Sequence, residues 1–407
     1  MNLKELKYKA NYYILLLLVF VIPLDRRLGA LLVGLFVLSS FINYKPKEKR
    51  NPKILLFALP FMVYFISLSY ASDFSDGIEE LIKKLSLLVF PIAVYFSNIN
   101  YREKMDSILT TFIEGCLTSG LISLISSAIH YYFTLDSTSF FYGNSSVFLH
   151  VSYFDMYANF AILILYHFIF NQKKEKNFTI LRVGIILFLS VMVVTSASKT
   201  GLISMLIVHS GAIIYWIRKE KSWTKGVVVI FVFITVLSIV FLSSSTLRNR
   251  FNELIKVTTT NNLSSHSSTA ARVEIWKIAN DLIQEKPWIG YGVGAVHQHL
   301  MKEYKSRGFN DLYQKKLNAH NQIYQTTLTV GLIGGIIMLF SLILPMVMAI
   351  KQREFLYLFF LLLLVFNLMT EAMFERQAGV VFYALFNAVF FVVLLEKKNN
   401  KILSVKS

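Results

Sequence analysis

A single cysteine, Cys116, stands among 407 residues, so no intrachain disulfide and no site built from several thiolates can form. Charge is scarce as well. Asp, Glu, Lys and Arg make up 16% of the chain, where an ordinary soluble protein carries about a quarter. With 55% of its residues apolar or aromatic, the chain lacks the polar surface of a soluble enzyme, and it is far from a disordered, collagenous or disulfide-stapled composition. Acidic residues are rarer than basic ones, 24 against 41, which leaves a net charge of +17. On a soluble protein that surplus would suggest nucleic acid; here its meaning depends on where the basic residues fall. Neither Asp-x-Asp nor Glu-x-Asp occurs, and there is no internal repeat or inverted duplication of the transporter kind.

What the sequence does have is long apolar runs. A helix of about twenty residues crosses a hydrocarbon core about 30 Å thick. Twelve such runs are predicted, at 11–24, 28–44, 53–71, 81–98, 107–133, 147–170, 178–197, 200–217, 226–245, 321–350, 354–373 and 377–395. The fold class expected is an all-α polytopic membrane protein. The first run ends in Pro-Leu-Asp-Arg-Arg without a small-residue cleavage site and is read as a retained helix. With a cytoplasmic N-terminus, 24 Lys/Arg fall on cytoplasmic tails, loops and margins, and six on short external ones: Arg26, Arg27, Lys83, Lys84, Lys199 and Arg376. That asymmetry predicts both termini inside and the long segment 246–320 outside. The basic surplus is then largely topological, and no nucleic-acid partner is needed. Three regions follow: helices 1–9 over 1–245, an external loop over 246–320, and helices 10–12 with a cytoplasmic tail over 321–407.

The external loop holds eleven Lys/Arg, six Asp/Glu and four of the eight histidines. A Thr-, Asn- and Ser-rich stretch, Thr258 to Thr269, reads as a loop, and Ser268 or Thr269 can cap an amphipathic helix over 269–285. Val273, Trp276, Ala279 and Ile283 are its expected packing face, and Arg272 and Trp276 lie on neighbouring turns. The turn Trp288-Ile-Gly-Tyr-Gly-Val-Gly294 lacks a preceding strand, so it is not read as a nucleotide-binding fingerprint. His297-Gln-His299 is weak as half of a metal site. The loop ends at Asn318-Ala-His320-Asn321, with Tyr324 expected one helical turn on. A histidine at the mouth of a span reaches water while partly desolvated, and can act as a general base at neutral pH. Taken alone, His320 reads as an interfacial anchor before it reads as a catalyst.

Other polar groups gather on the same side. They are His150-x-x-Tyr153 with Asp155, the small-residue link Thr195-Ser-Ala-Ser-Lys199-Thr-Gly201, and the charged link Glu371-x-x-x-Glu375-Arg376. Ionisable residues in or beside spans are costly and usually face a cavity or one another. Their shared sidedness points to a cationic pocket for an anionic lipid headgroup, with Lys199 and Arg272 opposing phosphate charge.

In combination these features resemble the bacterial O-antigen ligase and polymerase superfamily. The matching features are about twelve spans with one large external loop before the last three, Ser-Ala-Ser-Lys199-Thr-Gly, Arg272-x-x-x-Trp276, Pro287-x-x-Gly-x-Gly, and His320-Asn321 before an apolar helix with Gly331 and Gly334. His150-x-x-Tyr153 is similar to a pattern in some members. The resemblance implies a membrane-embedded glycosyltransferase of GT-C-like architecture in the bacterial inner membrane, with its site facing the periplasm and with no metal or other cofactor. It also implies an undecaprenyl-diphosphate-linked glycan as donor, the lipid A-core sugar as acceptor, and membrane lipid around both. His320 would be the base and Arg272 would act with it. Lys199, Asn321, Tyr324, His150, Tyr153, Trp276 and Arg376 would line the substrates. Lys199 departs from the arginine found in many members, keeping the charge but losing bidentate geometry. A repeat-unit polymerase of the same superfamily competes with the ligase reading. A transporter or a non-catalytic assembly protein competes less well: the polar groups gather at one face, where a transporter needs them near mid-bilayer.

Overall fold

A helix satisfies its own backbone hydrogen bonds, which is the condition for crossing hydrocarbon, and every regular element of the described residues is helical. The computed structural model describes residues 3–42, 50–172, 176–220, 248 and 268–406. The chain opens with α1 (Leu3–Val21) and α2 (Arg26–Ile42). A span over Pro52–Tyr70 follows, made of α3 (Leu59–Ser67) between two 3-10 turns, then α4 (Phe74–Lys84) and α5 (Ser86–Phe96). Next come α6 (Tyr101–Thr134), α7 (Val151–Asn171), α8 (Lys176–Ser196) and α9 (Lys199–Glu220). The segment between α9 and the last three helices contributes α10 (Ser268–Glu285), α11 (Val296–Ser306) and α12 (Asn310–Gln314). The last three are α13 (Gln322–Gln352), α14 (Phe355–Thr370) and α15 (Gln377–Lys406).

Seven helices of the described residues are long and apolar enough to cross a membrane. The other five expected spans fare differently. Those at 11–24 and 354–373 correspond to the shorter apolar helices Lys9–Val21 and Phe355–Thr370, and that at 28–44 to the 17-residue α2. The run 226–245 lies outside the described residues, as do Thr258 to Ser267 of the loop. The run 81–98 is divided. Its first residues complete α4, whose inner face carries Glu80 and Lys84 while Phe74, Ile78 and Ile82 are exposed, and a separate helix begins at Ser86.

The chain forms two compact units. The first comprises residues 1–15, 30–105 and 262–407. Its central helix is α15, whose spanning window is 94% buried, so it faces protein and not lipid. Phe382, Phe386 and Phe390 on α15 pack on Tyr357 and Phe360 of α14. Toward the C-terminal part of α15, Arg50 pairs with Glu396 at 2.9 Å and stands over the Tyr101 ring.

Helix α13 is broken at Gly331, where φ is 68 and ψ −174. Nine residues before the break, Gln322–Val330, are largely buried; after it, Leu332, Ile333, Ile336, Phe340, Ile343, Val347 and Ile350 form an exposed apolar stripe at helical spacing. A 31-residue helix is about 46 Å long, more than a bilayer core needs. The break therefore separates a lipid-facing helix from a shorter one packed inside protein.

The second unit comprises residues 16–29 and 106–261. Helix α7 packs on α8 and α9, and its side chains from Tyr153 to Leu165 are all buried. His209 of α9 is buried between the Tyr166 hydroxyl at 2.7 Å and the Ser190 hydroxyl at 3.1 Å.

Candidate active site

The segment Asn318–Asn321 is held by its neighbours on several sides. Trp276 of α10 donates its indole N–H to the Ala319 carbonyl at 2.9 Å. Gln325 of α13 accepts the Ala319 N–H on its side-chain oxygen at 3.2 Å, and Asn318 accepts the His320 N–H at 3.0 Å. Asn321 caps α13 by accepting from the N–H groups of Ile323 and Tyr324, and its side-chain amide donates to the Met369 carbonyl at the end of α14 at 3.0 Å. His320 is left at a positive φ of 44, outside the helix. The expected helical step from His320 to Tyr324 therefore does not hold. Tyr324 instead stacks on Trp276, ring centroids 6.0 Å apart and planes within 13°.

His320 Nδ1 lies 3.0 Å from Glu371 Oε2, both side chains being about one-fifth exposed. An ionised Glu371 can only accept, so with it Nδ1 is the donor, and in a neutral ring that leaves the Nε2 lone pair available. A base held in one tautomer by a carboxylate, and still open to water, can take a proton from a hydroxyl. Glu371 and Glu375 do not pair with each other or with Arg376. Glu375 meets Lys84 at 3.0 Å, and Arg376 is exposed with no ion pair among the described residues.

Lys84 is buried, bridging Glu375 and Glu80, the latter at 2.8 Å, with its ammonium over the Tyr64 ring. Burial works against the Glu80 carboxylate, yet Lys84 and Lys83 hold it well below the usual range; Glu375 is pushed up to about 7 by burial and by the neighbouring Glu80 charge.

The glycine turn supports this arrangement from below. Gly290, Gly292 and Gly294 all have positive φ. The turn lays its backbone on the break in α13: Tyr291 and Gly292 donate to the carbonyls of Leu328 and Thr329 at 2.8 and 2.9 Å, and Leu332 donates to Pro287 at 2.8 Å. Groups freed by the break are thus satisfied by the loop, as they must be near hydrocarbon. The buried face of α10 is Ile275, Ile278, Ala279 and Leu282, with Trp276 and Ile283 at its edge. It is rotated from the expected face, and Val273 is not in it. Arg272 is half-buried and forms no ion pair among the described residues. His297 is exposed, and His299 packs on Tyr291 with centroids 4.0 Å apart. Burial, then the charges of Lys286 and Lys302, hold the His299 imidazole below the usual range.

In the second unit, His150 caps α7, accepting from the Ser152 N–H, and its ring stands edge-on to Tyr153 at 6.5 Å. Lys199 is half-buried at the start of α9. Its link is anchored by α7. Asp155, fully buried, accepts from the Ser196 hydroxyl at 2.7 Å, and Asn159 donates to the Gly201 carbonyl at 3.1 Å. A Cβ on Gly201 would strike the Asp155 carboxylate.

Glu371, Gln325, Lys84 and Asp155 carry no assigned role in the sequence reading. A charge inside a span is a usable signal for Asp155, and the i,i+4 spacing is one for Glu80 and Lys84. Glu371 and Gln325 gain meaning only from folding.

Architecture and site together define a polytopic helical membrane protein with a histidine–carboxylate pair where a soluble-facing loop enters a span. The family model described as O-Antigen ligase matches residues 183–339, from within α8 to just past the break in α13. That stretch contains Lys199, Arg272, Trp276 and His320, and over it the chain is similar to the O-antigen ligase family. An uncharacterised protein of Haemophilus influenzae is similar along most of its length, 25% identical over 362 residues that cover 86% of each chain.

Proposed function

We propose that the protein is an O-antigen ligase, passing a glycan from undecaprenyl diphosphate to a lipid A-core sugar at the periplasmic leaflet of the inner membrane. The observation that carries this reading is the His320–Glu371 pair, 3.0 Å apart, at the outer end of a helix within the family-matched stretch. In the proposed step, His320 Nε2 takes the proton of the acceptor hydroxyl while that oxygen attacks the anomeric carbon. The bond from that carbon to the diphosphate oxygen breaks, its electron pair leaves with the lipid carrier, and the anomeric centre inverts. Nδ1, held by Glu371, stabilises the imidazolium that forms. Arg272 is proposed to meet the diphosphate charge, and Lys199 is a second cation proposed for phosphate on the strength of its sequence motif. Asn321 positions the histidine, and Trp276 and Tyr324 wall it. His150, Tyr153 and Arg376 are proposed as further substrate contacts.

The test has a cellular and a purified arm. In a deletion strain of the native host, long glycans accumulating on the undecaprenyl carrier above bare lipid A-core support ligase. Cores bearing single repeats would make the protein a polymerase, and an unchanged profile in both fractions would remove this polysaccharide as substrate. With purified protein, His320→Ala is expected to lower transfer about 10²–10⁴-fold, the usual worth of a general base. Wild-type rates in Arg272→Ala and Lys199→Ala would sink the phosphate assignment.

A further inference from the structure

A cavity of about 200 Å³ opens between α4, the glycine turn and the buried half of α13. It is smaller than the roughly 300–1,000 Å³ of pockets that take drug-sized ligands, a scale suited to one sugar ring. Four carboxylates line it, Asp76, Glu79, Glu80 and Glu375, against two lysines and one histidine. Both lysines are already engaged: Lys83 and Lys84 bind Glu80 at 2.6 and 2.8 Å, and Lys84 also binds Glu375. Asp76 and Glu79 are exposed and form no ion pair among the described residues, so the outer wall keeps uncompensated negative charge. Gln325, only 6% exposed, also lines the cavity. Its side-chain oxygen is taken by the Ala319 N–H, while its amide nitrogen makes no hydrogen bond among the described residues. That nitrogen is not sealed from the cavity, so it is a donor open to a hydroxyl or ring oxygen bound there. The same side chain reaches the residue next to His320. No group of three His, Cys, Asp or Glu among the described residues is placed to hold a metal ion, which favours an organic ligand over a cation.

Building on the glycan-transfer reading, we infer that this cavity binds one sugar ring of a glycan substrate, and that the sugar is neutral or amino-bearing and not acidic. Carboxylates accept from hydroxyl or ammonium groups, the Gln325 amide donates to a ring or hydroxyl oxygen, and Asp76 and Glu79 repel a uronic acid.

The test uses the purified full-length protein in lipid nanodiscs, free of sugar-headed detergent, with glucose, glucosamine and glucuronic acid as probes in saturation-transfer NMR. Glucose and glucosamine are expected to receive saturation and glucuronic acid to receive none. Gln325→Leu is expected to weaken both at least tenfold. The pair Asp76→Asn and Glu79→Gln, both at exposed positions, is expected to admit glucuronic acid. Equal signals from all three probes on the unmodified protein, or none from any, would overturn the inference. Glycan transfer is measured on the same preparation. Transfer without sugar binding refutes this site alone, whereas sugar binding without transfer refutes the enzymatic reading and leaves the site standing.

Discussion

His320 sits at φ 44, a conformation that costs a residue with a Cβ about 1–2 kcal/mol, and Asn318, Trp276, Gln325 and Asn321 together hold the chain there. Glu371 then orients the ring from another helix end. Glu371→Gln keeps an acceptor but removes the charge that stabilises an imidazolium. Its kcat is expected to fall, though less than in His320→Ala, with the acceptor KM unchanged and Glu371→Asp partly restoring the rate. A rise in KM alone would make Glu371 a substrate contact instead of a positioning residue. The histidine itself was legible from its place at the mouth of an apolar run. Its carboxylate was not, because the two lie 51 residues apart and only the docking of α13 beside α14 brings them together. Arg376 was equally prominent in sequence, yet it stands exposed while its neighbours Glu371 and Glu375 turn to different partners.

At the scale of elements, the break in α13 is the feature on which the others depend. Gly331 has φ and ψ in a region that is essentially glycine-only, and a Cβ there would run into the Trp288 carbonyl. Gly331→Ala is therefore expected to cost about 1–3 kcal/mol from backbone conformation alone, with more from displacing the turn that satisfies Leu328 and Thr329. Thermal unfolding in detergent, followed by tryptophan fluorescence, checks it. Gly184→Ala, at a position with nothing within 4 Å, is the control and is expected to leave the midpoint unchanged or slightly higher. An unchanged midpoint for Gly331→Ala would mean that the turn does not need the break. Apolar periodicity could not reveal that break, since hydrophobicity runs through it without interruption. The division of 81–98 escaped for a related reason. Helix α4 turns Phe74, Ile78 and Ile82 outward and Glu80 and Lys84 inward, and its Leu81 and Ile82 adjoin the apolar run that begins at Ser86. Helix α10 was legible as amphipathic, but its packed face is set by what it meets, Tyr291 and α13, and not by periodicity alone.

For the whole molecule, the basic residues predict a sidedness that the contacts of the first unit can be set against. Every alternate helix end should face the same way. Asn321 meets Met369, Lys84 meets Glu375, and His320 meets Glu371, all between segments expected outside; Arg50 meets Glu396 between segments expected inside. Those pairings are consistent with alternating spans in this unit, and they hold equally for the mirror orientation, because packing is blind to which compartment lies beyond each end. Only the charge asymmetry distinguishes the two, through the cost of moving Lys and Arg across the membrane during insertion. Labelling reads that choice directly. Cys116 is fully buried and can be replaced by serine to leave a background without thiols. Lys302 on α11 and Lys351 at the far end of α13 are both exposed, and a cysteine at either reports its compartment. In intact spheroplasts Lys302→Cys is expected to react with a membrane-impermeant maleimide, and Lys351→Cys to react only after permeabilisation. The reverse pattern would put His320 in the cytoplasm, where the proposed donor leaflet is not within its reach, and the ligase reading would fail together with the topology.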